Sequence, residues 1–186
     1  MILASTSSIY GNSGDKEMVE NEDEKIDPPS IYAATKLSGE TLAKTILSTH
    51  KTKLVITRFF TVYGPWGRPD MAIYLFADAI SNDRPIKVFN NGDLERDFTY
   101  IDDIVDGLMK IIEKGADSNN LYRLFNIGNN SSVRLQDFIE QLEVNLNKKA
   151  IKKYLPMQPG DVHKTWADTS ALIKQFSYTP NTPVGV

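Results

Sequence analysis

The stretch "PPSIYAATKLSGETLAKTILSTHKTKLVITRFF", Pro28 to Phe60, decides the fold. Two prolines lead into Ser30, a suitable N-cap, and helix formers with apolar spacing continue to about His50, which predicts a helix. Lys53 to Phe60, "KLVITRFF", is rich in β-branched and aromatic residues without a breaker, so it reads as a buried strand. The punctuation of "YGPWGRP" closes it. Upstream, the apolar start Met1-Ile2-Leu3-Ala4 reads as another strand, ending in four consecutive hydroxyls, Ser5, Thr6, Ser7 and Ser8. Strand, helix and strand make a βαβ unit.

Downstream, Met71 to Ser81 is expected to be a helix, "PIKVFN" a short strand and "NNGD", Asn90 to Asp93, a turn with a hairpin signature. In "RDFTYIDDIVDGLMKIIEKG", Asp102 or Asp103 is placed to cap an amphipathic helix ending at Gly115. "YRLFNIG" reads as a strand, "SSVRLQDFIEQLEVNLNKK" as a helix opening at Ser131 or Ser132, and "DTSALIKQF" as a short helix capped from Asp168. This alternation predicts an α/β protein with a mostly parallel sheet.

The 186 residues suit one domain, or one and a small second. The balance of 21 basic against 24 acidic residues makes no electrostatic case for nucleic acid or an anionic membrane. Seven acids crowd between Asp15 and Asp27 against Lys16 and Lys25, a run expected to be a solvated loop. The absence of cysteine excludes disulfides, thiolate metal sites and a thiol nucleophile, and fits a reducing cytoplasm. His50 and His163 are too few and too distant in sequence to suggest a metal site. No stretch approaches the roughly 18 apolar residues of a membrane span, so a cytoplasmic chain is expected.

Tyr32 and Lys36 are spaced i and i+4 and leave the helix on one face. A tyrosine is a poor base at neutral pH unless a cation within reach favours the phenolate; with that help it can take and return a proton. By itself this spacing is common in helices. Here it follows a strand that ends in hydroxyls, with a loop of some twenty residues between, and that order is more specific.

"STSSIYG", "YAATK", "RFFTVYGPWGRP", "NNGDLERDFTYIDDI" and "QPGDV", in this order, resemble the extended short-chain dehydrogenase/reductase family, and most closely its nucleotide-sugar 4-epimerases of the UDP-glucuronate subgroup. The resemblance runs from residue 1 to about residue 183. It implies the C-terminal part of a Rossmann-like doubly wound parallel sheet plus a smaller α/β substrate-binding domain. Residues 1–65 would be the remaining part of the dinucleotide-binding domain with the Tyr-Lys helix. Residues 66–186 would be mainly the UDP-sugar domain, with 97–128 partly returning to the first.

The implied reaction is NAD-dependent epimerisation at carbon 4 of a UDP-sugar, UDP-glucuronate to UDP-galacturonate, through a transient 4-keto sugar. Tyr32, beside the cofactor, would remove the proton from the 4-hydroxyl, Lys36 would hydrogen-bond the nicotinamide ribose and favour the Tyr32 phenolate, and Thr6 would hold the 4-oxygen and shuttle the proton. Phe59 would lie near the nicotinamide, and Ser7, Ser8 and Thr61 would line the sugar site. Arg68 would meet the uronate carboxylate, which a guanidinium matches with two parallel hydrogen bonds. Arg96 would bind the diphosphate and Asp161 the uridine ribose. Gln158 stands where some UDP-galactose epimerases carry a second phosphate-binding Arg, which leaves that contact open. Asp97 and Tyr100 are expected to organise turn and core.

The 4,6-dehydratases carry Asp-Glu where this chain has Ser7-Ser8, and the decarboxylases carry Glu in place of Ser8, so elimination chemistry is disfavoured. The alternatives left open are a UDP-glucose/UDP-galactose 4-epimerase, a UDP-glucuronate decarboxylase, and a truncated piece that at most binds UDP-sugar. The last arises because the sequence holds no G-x-G-x-x-G turn for a dinucleotide pyrophosphate; an internal fragment, inactive alone, is expected. A homodimer through the Tyr-Lys helix is also implied.

Overall fold

In the computed structural model, which describes residues 1–14, 16–20, 26–115 and 119–185, the apolar strands fall into one parallel sheet. Strands β1 (Ile2–Thr6), β2 (Leu54–Phe59) and β6 (Tyr122–Ile127) run in the order β1-β2-β6. Thr6 registers with Phe59, and Phe59 with Ile127, so all three strands end at one edge. Helix α1 (Ile31–Thr49) makes the crossover from β1 to β2. Ser30 caps it, its hydroxyl accepting from the Ala33 N–H at 3.2 Å.

Beyond β2 the chain builds a second set of elements: β3 (Thr61–Tyr63), α2 (Ala72–Ser81), β4 (Ile86–Val88), β5 (Glu95–Tyr100), α3 (Ile101–Gly115), β7 (Ser132–Arg134), α4 (Leu135–Leu146), β8 (Lys152–Tyr154) and α5 (Ser170–Phe176). β5 lies between β3, parallel, and β7, antiparallel, while β4 pairs in parallel with β8. One apolar core joins Val55, Phe125 and Ile127 of the sheet to Ile104 and Ile111 of α3 and Leu172 and Phe176 of α5. A second joins α2, β4 and α4 through Phe76, Ile80, Val88 and Ile139.

Four expectations are corrected. "NNGD" is no hairpin: Asn90 and Asn91 do take left-handed φ values, 49° and 52°, but β4 and β5 do not pair with each other. "RDFTY" is a strand that passes directly into α3, and Asp102 and Asp103 stand in the first turn of that helix instead of capping it. Ser131 and Ser132 do not open α4; Ser132 belongs to β7 and its hydroxyl donates to Glu95 at 3.0 Å, and the helix begins at Leu135 after Arg134. The last helix is capped in position by Thr169, although the Asp168 carboxylate does accept from the Ser170 N–H at 2.8 Å.

The acidic run also departs from a solvated loop where it is described; Asp15 and residues 21–25 lie outside the described residues. Met18 is buried and forms a parallel bridge with Ala167, and Glu20 is half-buried. Its Oε2 accepts from Asn126 Nδ2 at 3.1 Å, while its buried Oε1 finds no partner among the described residues. Among the described residues no helix is long and apolar enough to cross a membrane.

Beneath the sheet edge lies a buried polar chain. The Arg58 guanidinium meets Glu40 in two hydrogen bonds, Nε to Oε1 at 3.1 Å and Nη2 to Oε2 at 2.8 Å. Ser5 Oγ donates to the same carboxylate. Arg58 lies over the Tyr10 ring at 4.9 Å, and the Tyr10 hydroxyl donates to Asn126 Oδ1 at 2.7 Å.

Burial pushes the Glu20 carboxyl up to about 7, with Asp168 adding to the effect and Arg58 opposing it. The folded chain therefore holds this proton more tightly than the unfolded chain does. Its stabilising contribution is full below the ordinary value of 4.5 and is lost as the pH rises through about 7. Glu20→Gln stays neutral and can still accept from Asn126. It should match the parent in urea unfolding at about pH 4.5 and exceed it at about pH 8. A parent–variant difference that stays constant over that range would contradict the assignment.

Candidate active site

Ligand crevices in parallel sheets open outside the carboxyl ends of the strands, and that is where β1 releases its hydroxyls. Side chains alternate along a strand, so Ser5 turns inward to Glu40 while Thr6 caps the short 3-10 turn Ser7–Tyr10. Thr6 Oγ1 accepts from the Ser8 N–H at 3.2 Å and donates to Ser8 Oγ at 3.1 Å. Thr6, Ser7 and Ser8 line a cleft of 530 Å³ together with Tyr32, Phe59, Thr61 and Arg68. Seven of the ten residues expected at the site are thus brought to one place.

Tyr32 is 53% exposed, its ring reached from the cleft. Lys36, one turn on, does not line the cleft: its Nζ donates to the Ala4 carbonyl at 3.2 Å and ties α1 to β1. An ammonium has three N–H donors, so this contact leaves capacity for a ligand hydroxyl beside the strand end. Phe59 closes β2 and is half-buried.

Arg68 stands at the mouth, with its guanidinium in a two-point pair with Asp70, Nε to Oδ1 at 3.1 Å and Nη2 to Oδ2 at 3.0 Å. Both side chains are about two-thirds exposed, 70% and 68%, so solvent weakens the pair. The guanidinium expected to meet a substrate carboxylate is therefore already opposed by a carboxylate of the chain. The turn from Gly64 to Gly67 is held rigidly. Tyr74 Oη accepts from the Gly67 N–H at 2.8 Å and donates to the Gly64 carbonyl. At Gly64, φ is 133° and a Cβ would lie 2.5 Å from Ile101 Cγ2, so only glycine fits.

Arg96 and Asp161 lie apart from Tyr32. They line a small 140 Å³ pocket with Ser7, Ser8 and Thr61, and a larger 650 Å³ cavity with Thr61 and Gln158. Thr61 lines all three spaces, which adjoin at that residue. Arg96 Nη2 pairs with Asp161 Oδ1 at 2.6 Å, and its Nη1 donates to the Glu95 and His163 carbonyls at 2.7 and 3.1 Å. Burial lowers the Arg96 guanidinium from its ordinary value, with Asp161 opposing.

Beside it, Asp97 is fully buried and accepts from the Asn129 and Ala167 N–H groups at 2.7 and 3.1 Å and from Thr99 Oγ1 at 3.2 Å. Burial still pushes its carboxyl up to about 6. Asp97 joins β5 to two other segments, and Tyr100 packs edge-on to Tyr63 with ring centroids 5.4 Å apart.

Sequence reasoning missed Ser5, Glu40, Arg58, Tyr10 and Asn126 as a network. One signal was available: Glu40 continues the Tyr32–Lys36 face at i+8, and Arg58 interrupts an otherwise uncharged strand. Tyr74 gave no such signal.

The profile described as the NAD dependent epimerase/dehydratase family matches residues 1–128. The chain is 43% identical to Protein CapI of Staphylococcus aureus, over 99% of this chain and 59% of that protein. It is 40% identical to the probable UDP-glucuronate 4-epimerase of Rhizobium meliloti, over 99% and 58% respectively. Among solved structures, a tyrosine-to-phenylalanine mutant of UDP-glucuronic acid 4-epimerase from Bacillus cereus, in complex with UDP-4-deoxy-4-fluoro-glucuronic acid and NAD, superposes with a TM-score of 0.90 at 37% identity. That superposition covers 99% of this chain and 57% of the other. The chain thus spans little more than half the length of these relatives. With the strand-end cleft, the Tyr32–Lys36 helix and the family profile in agreement, the chain belongs to the NAD dependent epimerase/dehydratase family.

Proposed function

We propose that this chain carries the sugar-binding and proton-transferring part of an NAD-dependent UDP-sugar 4-epimerase acting between UDP-glucuronate and UDP-galacturonate. The observation that carries the proposal is the convergence of Thr6, Ser7, Ser8, Tyr32, Thr61 and Arg68 on one cleft. The similarity to the probable UDP-glucuronate 4-epimerase of Rhizobium meliloti and to the UDP-glucuronic acid 4-epimerase of Bacillus cereus supports it. The reading divides the chain near residue 65, with 97–128 returning to the dinucleotide-binding side; the pairing of β6 with β2 supports this return.

The residues present fit the nicotinamide end of the cofactor: Lys36 has donor capacity beside the strand end and Phe59 offers a half-buried ring at the cleft. The chemistry supplied by the bound dinucleotide is reversible acceptance of a hydride from carbon 4. Tyr32 takes the 4-hydroxyl proton as that carbon is oxidised and returns it as the carbon is reduced on its opposite face. Thr6, linked to Ser8, holds the 4-oxygen, and Ser7, Ser8 and Thr61 bind the ring's other oxygens. Arg68 exchanges its exposed pair with Asp70 for the substrate carboxylate. Arg96 binds the diphosphate, and Asp161 the uridine ribose, after the pair between them opens. Hydroxyls in this cleft give no strong acid for elimination.

One observation favours a neutral sugar, as in a UDP-glucose/UDP-galactose 4-epimerase: Arg68 already has a carboxylate partner. Turnover decides. With NAD+, and with a glycine-rich dinucleotide-binding segment joined to the chain, UDP-glucuronate should yield UDP-galacturonate by chromatography, at least about tenfold faster than UDP-glucose is converted, and Tyr32→Phe should remove the activity. Preference for the neutral sugar, or turnover surviving in Tyr32→Phe, would contradict the proposal. Calorimetric binding of UDP-glucuronate without turnover would mark a sugar-binding part whose cofactor contacts lie on other residues.

The same reading includes a homodimer through α1, supported by the exposure of Leu42 and Ile46 one turn apart on that helix. Sedimentation should give twice the 20.9 kDa chain mass, and Leu42→Lys with Ile46→Lys should halve it. A parent already monomeric at high concentration would remove the dimer from the proposal.

A further inference from the structure

We propose that Trp66 covers the bound sugar, its indole stacking on the apolar face of the pyranose; this rests on the function proposed above. Trp66 is fully exposed, yet it lines the mouth of the cleft that holds Tyr32 and Thr6. Its φ is 64°, a left-handed conformation that a bulky side chain rarely adopts. Strain of this kind persists only where the surroundings enforce it, and here Tyr74 pins both Gly64 and Gly67 around the tryptophan. The turn therefore holds the Trp66 backbone in place at the cleft and leaves its indole free to meet a ligand.

The chain's other tryptophan shows the contrast. Trp166 donates from Nε1 to the Asn130 carbonyl at 3.4 Å and has the Lys164 ammonium 5.1 Å from its ring, so its ring is engaged by the protein. The Trp66 indole has no hydrogen bond or ring partner among the described residues. A pyranose has the matching chemistry: its ring edge carries hydroxyls for Thr6, Ser7, Ser8 and Thr61, while its face carries C–H groups that bury well against an aromatic ring. Arg68, two residues on, lines the same cleft, so the proposed carboxylate contact and the indole belong to one cleft wall.

Trp166→Phe leaves Trp66 as the single tryptophan reporter. Its emission is excited at the red edge of indole absorption, where uridine does not absorb, during titration with UDP-glucuronate and, separately, UDP. UDP-glucuronate should move the emission to shorter wavelength and protect it from acrylamide; UDP alone should do neither. By calorimetry on the otherwise unmodified chain, Trp66→Ala should weaken UDP-glucuronate binding about tenfold while leaving UDP binding within about twofold. Because Trp66 is exposed, this variant should fold, and it keeps the test intact should Trp166→Phe not fold.

Heat of UDP-glucuronate binding with unchanged Trp66 emission and unchanged affinity in Trp66→Ala would overturn the cover while leaving the proposed function standing. An equal response to UDP alone would reassign Trp66 to the nucleotide. Emission that follows protein concentration without ligand would assign the indole to a second copy of the chain. No heat with UDP-glucuronate would fail the functional reading, and the cover with it.

Discussion

A guanidinium taken out of water must find its charge balanced close by, and Arg58 finds it in Glu40, with 3% and 6% of the two side chains exposed. Removing one partner of such a pair typically costs about 3–5 kcal/mol, because the other charge is left stranded. The pair joins α1 to β2, and Ser5 extends it to β1. It thereby holds the helix carrying Tyr32 and Lys36 against the strand that ends in Thr6. Lys36 adds a contact from the same helix face to the Ala4 carbonyl. The proposed proton-transferring residues share a register because a buried ion pair fixes their two elements.

That constraint also explains the division of labour among the hydroxyls at the end of β1. All four line the cleft, but the Ser5 hydroxyl is taken up by the Glu40 carboxylate while those of Thr6, Ser7 and Ser8 are not. Tyr10, two residues after Ser8, continues the buried chain to Asn126, which donates to the Met18 carbonyl at 2.7 Å and holds the 16–20 segment. One polar network thus supports the strand end from behind and leaves its front face to ligand. The pockets beyond, lined by Thr61, Arg96 and Asp161, lie beside the paired strands β3 and β5, with Asp97 anchoring the latter. Arg68 and Arg96 each hold a carboxylate, the exposed Arg68–Asp70 pair weakened by solvent and the Arg96–Asp161 pair less exposed.

The βαβ unit was legible because its signals are local: the Ser30 cap, the apolar spacing of α1 and the unbroken run of β2. The strand in "RDFTY" and the start of α4 were not. β5 passes into α3 without a loop, and β7 exists because Ser132, Val133 and Arg134 find partners in β5, a tertiary fact invisible in three residues. The hairpin reading of "NNGD" had the right backbone at Asn90 and Asn91, but β4 pairs with a strand some sixty residues later. At the site, seven of the expected residues fell together at the cleft while Lys36, Arg96 and Asp161 did not, and the pairings of Arg68 with Asp70 and Arg96 with Asp161 depend on side-chain geometry that spacing does not encode.

The most direct test of the central constraint is a double-mutant cycle in urea unfolding, with Glu40→Met, Arg58→Met and the double variant. Each single change should cost about 3–5 kcal/mol, and the double should cost at least about 2 kcal/mol less than their sum, since no charge is then left unpaired. Losses that add to within about 0.5 kcal/mol would show that the two side chains act independently. The registration of α1 on the strand end would then have to come from elsewhere.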